Sequence, residues 1–298
     1  MAELKYAKMP SSIVHPSNLF ISLPKGVRAK EKLNVSYSAG DSTYRFLGPE
    51  PLDSTDLRVL QGLVAQATAD AYLPRRPPGD RVGESTPDHQ VKTLLERCFA
   101  EESENTVAVR FRISGFVESL GYVDGGSIRK IVLASITRLS SVTVVVEQPD
   151  ILRTTRLVTG YVKDPVTGKM IVGLNPLLSS ALTSPNNFLA VSIEEARQLK
   201  SDIAHLLHWR LHFINQADAK KVSLNRLCEY VYPSSEATIP ETTLRRRRST
   251  VRKALYQLER IGWGVMKREN DVYTIIRPAH LREDQRRMLG ITRTNRLA

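Results

Sequence analysis

Cysteine is nearly absent: the 298-residue chain holds two, Cys98 and Cys228. They give no metal-ligand spacing, and each sits in an apolar, helix-patterned stretch. Free buried thiols in a reducing cytoplasm are therefore the expectation. Long apolar runs are also missing. The amino terminus has none, and nowhere do about 18 apolar residues run together, so neither a signal peptide nor a membrane span is indicated. The phosphate-binding Gly-x-x-x-x-Gly-Lys-[Ser/Thr] loop is absent too. Thr167-Gly-Lys-Met170 resembles only its end, lacks the first glycine and sits in a hairpin pattern, so ATP hydrolysis is not expected. No His-x-His pair accompanies a tyrosine in the manner of DNA-nicking enzymes. Glu101, Glu102 and Glu104 read as a solvated helix end rather than a two-metal site. His205, His208 and His212 fall near one stripe of a helix, but no acidic or cysteine partner lies close in sequence, and core packing is the better reading. The expectation is a protein without catalysis, metal or cofactor.

Negative charge is the last shortage. Asp and Glu number 31 against 43 Lys and Arg, a net of +12. From residue 241 onward there are 15 Lys or Arg against 6 Asp or Glu, so +9 of that excess lies in the last fifth of the chain. A polyanion is the natural partner.

The basic excess has a pattern. Leu244 to Ile261 reads as an amphipathic helix that opens with four consecutive arginines. Taking Val251 as zero and advancing about 100° per residue puts Leu244, Ala254, Leu255, Leu258 and Ile261 within about 80° of it. Arg245, Arg246, Ser249, Lys253, Tyr256 and Arg260 fall around the opposite direction, with Arg252 beside them. Such a face suits the DNA major groove, where Arg and Lys reach guanine edges and phosphates and Ser or Tyr add contacts. The plainer alternative is a charged face that is only solvated.

Its neighbours favour DNA. Residues 221–232 read as a short helix with Ser223 as N-cap and Leu224, Leu227 and Val231 inward. The segment 233–240 breaks that helix, and Thr242 or Thr243 can cap the next. Residues 263–276 read as two short strands around a Glu269-Asn-Asp turn, with Lys267 and Arg268 at the hairpin tip. Helix, turn, basic helix and hairpin make a winged helix-turn-helix. A membrane-surface helix is disfavoured, because the hairpin and preceding helix would cover its apolar face.

A weaker copy precedes it. Ile113–Tyr122 reads as a short helix capped by Ser114, Val123–Gly126 as a turn, and Ser127–Leu139 as a long helix. Val142–Val146 can then pair with Arg153–Tyr161. Val132, Ser135, Ile136, Leu139 and Val142 match Val251, Ala254, Leu255, Leu258 and Ile261 at a constant offset, which suggests a pseudo-repeat. Ser127, Lys130, Thr137 and Arg138 are its candidate DNA contacts, directed at the backbone, while the second module carries most sequence readout.

The fold class expected is α+β, with two tandem winged helix-turn-helix domains. Residues 1–31 form a flexible arm; 32–184 the first domain with an N-terminal hairpin; 185–278 the main DNA-reading domain; and 279–298 a basic tail. Asp53 caps a helix to about Ala69, residues 73–88 form a loop, and Val191–Asn215 form one long helix capped by Ser192, with Glu195 at the capping-box position.

Several blocks carry a family resemblance: Lys32-Leu-Asn-Val-Ser-Tyr37, Gly48-Pro-Glu-Pro-Leu52, Asp56–Val64, Leu174-Asn-Pro-Leu177, His205–Leu211, and Leu227–Pro233 followed by the arginine helix and Ile261-Gly-Trp263. Together they resemble the replication initiators (RepC) of IncQ-type broad-host-range plasmids, in one order from about residue 30 to 278. The resemblance implies a cytoplasmic protein that binds direct repeats (iterons) in a plasmid origin and helps open adjacent A+T-rich DNA. A plasmid helicase and primase would act next, and several copies could array on the DNA. A winged-helix repressor or autoregulator, binding a promoter without melting it, is the alternative; a nonspecific architectural protein is another.

Overall fold

The computed structural model describes residues 5–16, 18–24, 26, 28, 30–71, 107–164, 167–183, 188–232 and 239–278. Outside them lie Cys98, the Glu101–Glu104 cluster, the 73–88 loop, residues 233–238 and the basic tail 279–298. Among the described residues the architecture is mixed α/β, with helices packed among four small antiparallel sheets.

The chain opens with β1 (Tyr6–Met9) and α1 (Ser11–Val14), then a hairpin of β2 (Leu33–Ala39) and β3 (Ser42–Gly48). The described stretch from Tyr6 to Ile21, within the segment read as a flexible arm, is built into the fold. β1 pairs antiparallel with β9 (Leu189–Ser192), Tyr6 opposite Ser192 and Met9 opposite Leu189. Ala7, Met9, Ile13, Val14 and Leu19 are fully buried. Each large apolar side chain so covered favours the folded state by about 1.5–3 kcal/mol. Four residues with no alternation give no local strand signal; the partner strand in the far half of the chain supplies the reason to fold.

α2 (Ser54–Ala71) is the central helix. Asp53 caps it as expected, its Oδ1 accepting from the amides of Thr55 at 2.8 Å and Asp56 at 3.2 Å. Leu57, Val59, Leu60, Leu63 and Val64 are buried. Gly62 permits close helix approach: a Cβ there would stand 2.3 Å from Leu120 Cδ2 and 3.1 Å from the Phe116 ring. After it come β4 (Val107–Phe111), α3 (Ile113–Ser119) and α4 (Gly126–Ser140). α3 starts one residue before Ser114, with Arg112 at the cap position and no side-chain cap bond, so Ser114 does not cap it.

β5 (Thr143–Gln148) and β6 (Ile151–Arg156) form the expected hairpin, with Val144 opposite Thr155 and Val146 opposite Arg153. It extends the first hairpin into a sheet of order β2-β3-β5-β6. The pairing stops at Arg156, however. Leu157 is buried, and β7 (Val158–Lys163) joins β8 (Met170–Leu174) in another sheet, of order β4-β8-β7.

The second half continues with α5 (Pro176–Thr183), β9, α6 (Ile193–Gln198), α7 (Asp202–Leu211), β10 (Ala219–Ser223), α8 (Leu224–Glu229), α9 (Glu241–Arg260), β11 (Gly264–Lys267) and β12 (Val272–Ile276). The helix expected over Val191–Asn215 is two helices. Ser192 does cap the first, accepting from the Glu195 amide at 3.2 Å. Leu199 then turns extended, and Ser201 caps the second through the Ala204 amide. A side chain from α9 holds this break: Gln257 Oε1 accepts from the amides of Lys200 at 3.0 Å and Ser201 at 3.2 Å. The last three strands form a sheet of order β10-β12-β11. Both halves contribute to one continuous apolar core.

Candidate nucleic-acid interface

α9 has the two faces its sequence implies. Val251, Ala254, Leu255 and Leu258 are buried, and the helix packs on α7 and α8. Leu244 and Ile261 are only half-buried, at the two ends. Arg245, Arg246, Ser249, Arg252, Lys253 and Tyr256 are all exposed. The cap differs from expectation: the helix begins at Glu241 after Pro240, and Thr242 and Thr243 lie inside its first turn. Proline there lacks the N–H that a helix start would leave unpaired anyway.

The four arginines divide two and two. Arg248 Nε donates to Asn225 Oδ1 at 3.1 Å, and the Arg247 guanidinium lies 4.7 Å from the Tyr232 ring centre, so both turn toward α8 and the chain after it. Ser223 caps α8 as expected, accepting from the Arg226 amide at 3.2 Å. Arg245 extends outward, 78% exposed, with Glu241 at 3.3 Å as its one ion-pair partner among the described residues. Arg246 and Lys253 have no ion-pair partner among the described residues. An exposed i,i+4 pair such as Glu241–Arg245 contributes only about 0.3–0.5 kcal/mol, so Arg245 is readily released to a stronger anion.

The hairpin beside α9 is tied to it. Asp271 accepts from Arg252 Nη2 at 3.0 Å and lies 3.6 Å from Lys267 Nζ. The Arg252 hydrogen bond is the main cause that holds the Asp271 carboxyl below the usual carboxylate range. Asn270 and Asp271 both sit at positive φ, 56° and 53°. Asn and Asp tolerate that region better than most side chains. Lys267 and Arg268 are both exposed at the end of β11, and Arg268 Nε donates to Thr274 Oγ1 at 3.3 Å. β10 completes this sheet and takes residues 221–223, where the helix was expected to begin; Ala-Lys-Lys-Val-Ser buries a single side chain and gives no strand signal of its own.

In the first half, Ser127, Lys130 and Thr137 are exposed on α4, and Thr137 shares a 2.8 Å hydrogen bond with the Tyr161 hydroxyl. Arg138 departs from its expected role. Its Nε and Nη2 donate to Asp56 Oδ1 at 3.0 and 2.8 Å, and Nη2 also reaches Ser135 Oγ at 2.9 Å. The Asp56 side chain is fully buried and also accepts from Arg28 at 3.2 Å. Arg138 therefore locks α4 to the start of α2 instead of facing outward.

The fold supplies the histidine stripe with the acid that sequence spacing lacked. Glu195, His208 and His212 bring one possible ligand atom each within 4.8 Å of one another, all buried. Hydrogen bonds account for much of this cluster: Glu195 Oε2 accepts from Trp263 Nε1 at 2.7 Å and bonds His208 Nε2 at 2.9 Å. His212 Nδ1 bonds the His208 carbonyl at 2.6 Å. Arg277, buried nearby, adds positive charge that opposes a cation. Burial, chiefly, pushes the pKa of His205 and His212 well below the ordinary value, so both are neutral. Cys228 is half-buried, and burial raises its thiol pKa.

No helix among the described residues is long and apolar enough to cross a membrane. The family model described as Replication protein C (RepC) matches residues 2–279. Comparison with curated proteins finds no match. Among solved structures, domains 2 and 3 of RctB align with 90% of this chain and 97% of theirs, at 11% identity and a TM-score of 0.50. A likeness at that identity concerns the fold. The Pi initiator protein, solved in complex with iteron DNA, covers 70% of this chain and 92% of its own, at 12% identity and a TM-score of 0.41.

Proposed function

The chain belongs to the Replication protein C (RepC) family, and on that premise we propose that it is a plasmid replication initiator. It binds direct-repeat iterons in the origin through tandem winged helix-turn-helix modules and promotes opening of adjacent A+T-rich DNA. The observation that carries this reading is α9: Val251, Ala254, Leu255 and Leu258 anchor one face, while Arg245, Arg246, Ser249, Lys253 and Tyr256 stand exposed on the other. α7, β10, α8, α9 and the β11–β12 hairpin follow one another as a winged helix requires, with β12 between β10 and β11. α9 would enter the major groove, and Lys267 would reach the backbone beside it. One chain with two such modules has no internal two-fold axis, so its site is not a palindrome, and direct repeats follow. Opening the duplex without ATP draws on binding energy. Bending a site costs on the order of 1–6 kcal/mol, and several bound copies can supply that. Helicase and primase then load in the cytoplasm; the protein itself catalyses nothing.

The test is a footprint on the parental origin with permanganate to detect unpaired thymines. Regularly spaced protection with reactive thymines alongside is the expected result. Protection without them points to a repressor or to a separate melting factor, and no discrete protection overturns sequence-specific binding.

A further inference from the structure

We propose that a polar cavity between the N-terminal segment, β2 and the ends of α7 and α8 is an oxyanion site that seats one phosphodiester of the bound DNA. The inference rests on the DNA-binding reading above. The cavity holds about 350 Å³ and is lined by His15, Asn18, Asn34, Tyr37, Arg210 and Arg226, among others. No carboxylate is among its lining residues.

Arg210 is the deepest charge. Its Nη1 donates to the carbonyls of Val14, at 2.9 Å, and His15. The rings of Tyr230 and Phe213 lie 5.1 and 5.9 Å from its guanidinium. Its Nε, also buried, has no hydrogen-bond partner, and no acidic residue among those described pairs with it. A cation partly removed from water without a counter-ion leaves positive potential in the cavity. Arg226 adds a second charge at the mouth, where its 2.6 Å bridge to Glu229 is more than half exposed on both sides and cheap to exchange. Asn18 contributes a buried Oδ1 with no partner; rotating the carboxamide by a half-turn puts its NH2 donors there instead. Burial, and then Arg210, lower the His15 pKa, so its imidazole is neutral near pH 7 and has one N–H to give. The wall is thus rich in donors and poor in competing anions, which suits a phosphate.

Its position identifies the source. Arg226 follows Asn225, and Asn225 accepts from Arg248 on α9 at 3.1 Å. Arg226 thus shares the six-residue helix α8 with the residue that meets the arginine end of α9. A backbone running from that end along α8 would present a phosphate at the mouth.

The test measures affinity for the origin duplex from 50 to 200 mM salt for the full chain, Arg226→Gln and Arg246→Ala, with phosphate-ethylation interference on each. Arg226→Gln is chosen over Arg210 because its side chain is exposed; an unchanged melting temperature would verify folding. Arg226→Gln is expected to flatten the log–log salt slope by about 0.9, roughly a threefold smaller loss of affinity over that range, and to erase interference at one phosphate that Arg246→Ala retains. In a second arm, inorganic phosphate is titrated into DNA-free protein. Saturable binding that Arg226→Gln removes, with an unaltered DNA slope, supports the oxyanion site but makes its ligand a free phosphate. If slope, interference and phosphate binding are all unaffected by Arg226→Gln, the proposal is wrong. If wild-type protein and Arg246→Ala alike show no specific DNA binding, the DNA reading fails instead, and the phosphate titration alone decides the cavity.

Discussion

Arg138→Ala separates a structural arginine from those proposed to face DNA. In the folded chain Arg138 makes two charge-assisted bonds to Asp56 Oδ1, at 3.0 and 2.8 Å, and its own side chain is 18% exposed. Removing one partner of a buried ion pair costs about 3–5 kcal/mol when the other charge is left alone. Asp56 is not left alone, because Arg28 at 3.2 Å and the Asp53 amide at 3.0 Å remain. The loss should therefore fall lower, at about 2–3 kcal/mol, near the value of a single charged hydrogen bond. For a chain this long that is a fall in Tm of roughly 4–10 °C. Urea and thermal melts followed by circular dichroism would measure it, and binding of the origin duplex across a salt series would be run on the same variant. The reasoning requires a lower Tm and an unchanged salt slope. A variant with wild-type Tm and a slope reduced by about one phosphate would return Arg138 to the DNA face and refute the structural assignment.

Four further outcomes follow, three from the exposed basic surface and one from the buried histidines. Arg246→Ala should weaken origin binding by about 5- to 150-fold and relax specificity at one base position. Lys267→Ala should instead weaken all sequences alike and lower the salt slope, so identical behaviour of the two in a competition assay would refute the division. Asp271→Asn frees Arg252 and Lys267 from their shared carboxylate; nonspecific affinity should rise and the slope steepen by up to about 1 per released cation, and an unchanged slope would mean that neither side chain meets DNA. The buried, neutral His205 and His212 take up protons in the unfolded chain below about pH 6.5 but not in the folded one until well below it. Folding is thus favoured fully above 6.5 and weakens as the pH falls, by up to about 1.4 kcal/mol per pH unit for each histidine. Urea midpoints between pH 8 and 5 should show this decline, and His212→Gln should make it shallower by one proton.

Much of the second module was legible because its signals are local. Ser223, the buried stripe of α9 and the Glu269–Asp271 turn each declare themselves within a few residues. What was missed depends on partners distant in sequence. β1 is a strand because β9 lies beside it, and Val158–Lys163 leaves the β5–β6 sheet because β8 offers another edge. Helical periodicity runs on through Leu199, yet Gln257 stabilises the break there from α9. Arg138 carries the composition of a DNA contact, and only the position of Asp56 turns it inward. Glu195 joins His208 by the same logic, across a helix break that periodicity did not reveal.

One correspondence unites Arg138 and Gln257. At the offset that matches Val132 to Val251 and Leu139 to Leu258, Arg138 aligns with Gln257. The order α2, β4, α3, α4, β7, β8, with the β5–β6 hairpin inserted after α4 and sheet β4-β8-β7, is repeated without that insertion as α7, β10, α8, α9, β11, β12, with sheet β10-β12-β11. In both halves this side chain ties the long helix to the amino-terminal end of the module's first helix: Arg138 to Asp56 on α2, Gln257 to Lys200 and Ser201 before α7. Its job is to fix the angle of the long helix, whereas the proposed DNA contacts are the exposed side chains of that helix. Gln257→Ala should therefore resemble Arg138→Ala in kind and be weaker in degree. It removes two neutral hydrogen bonds from the amides, at 3.0 and 3.2 Å, and a third to Ser201 Oγ at 3.0 Å. Water can reach part of this site, so the cost should be about 1 kcal/mol, within the usual range for one net hydrogen bond. Denaturation should register that loss while the salt slope stays at the wild-type value. A flattened slope with unaltered stability would place Gln257 on the DNA, and the equivalence of the two helices would fall with it.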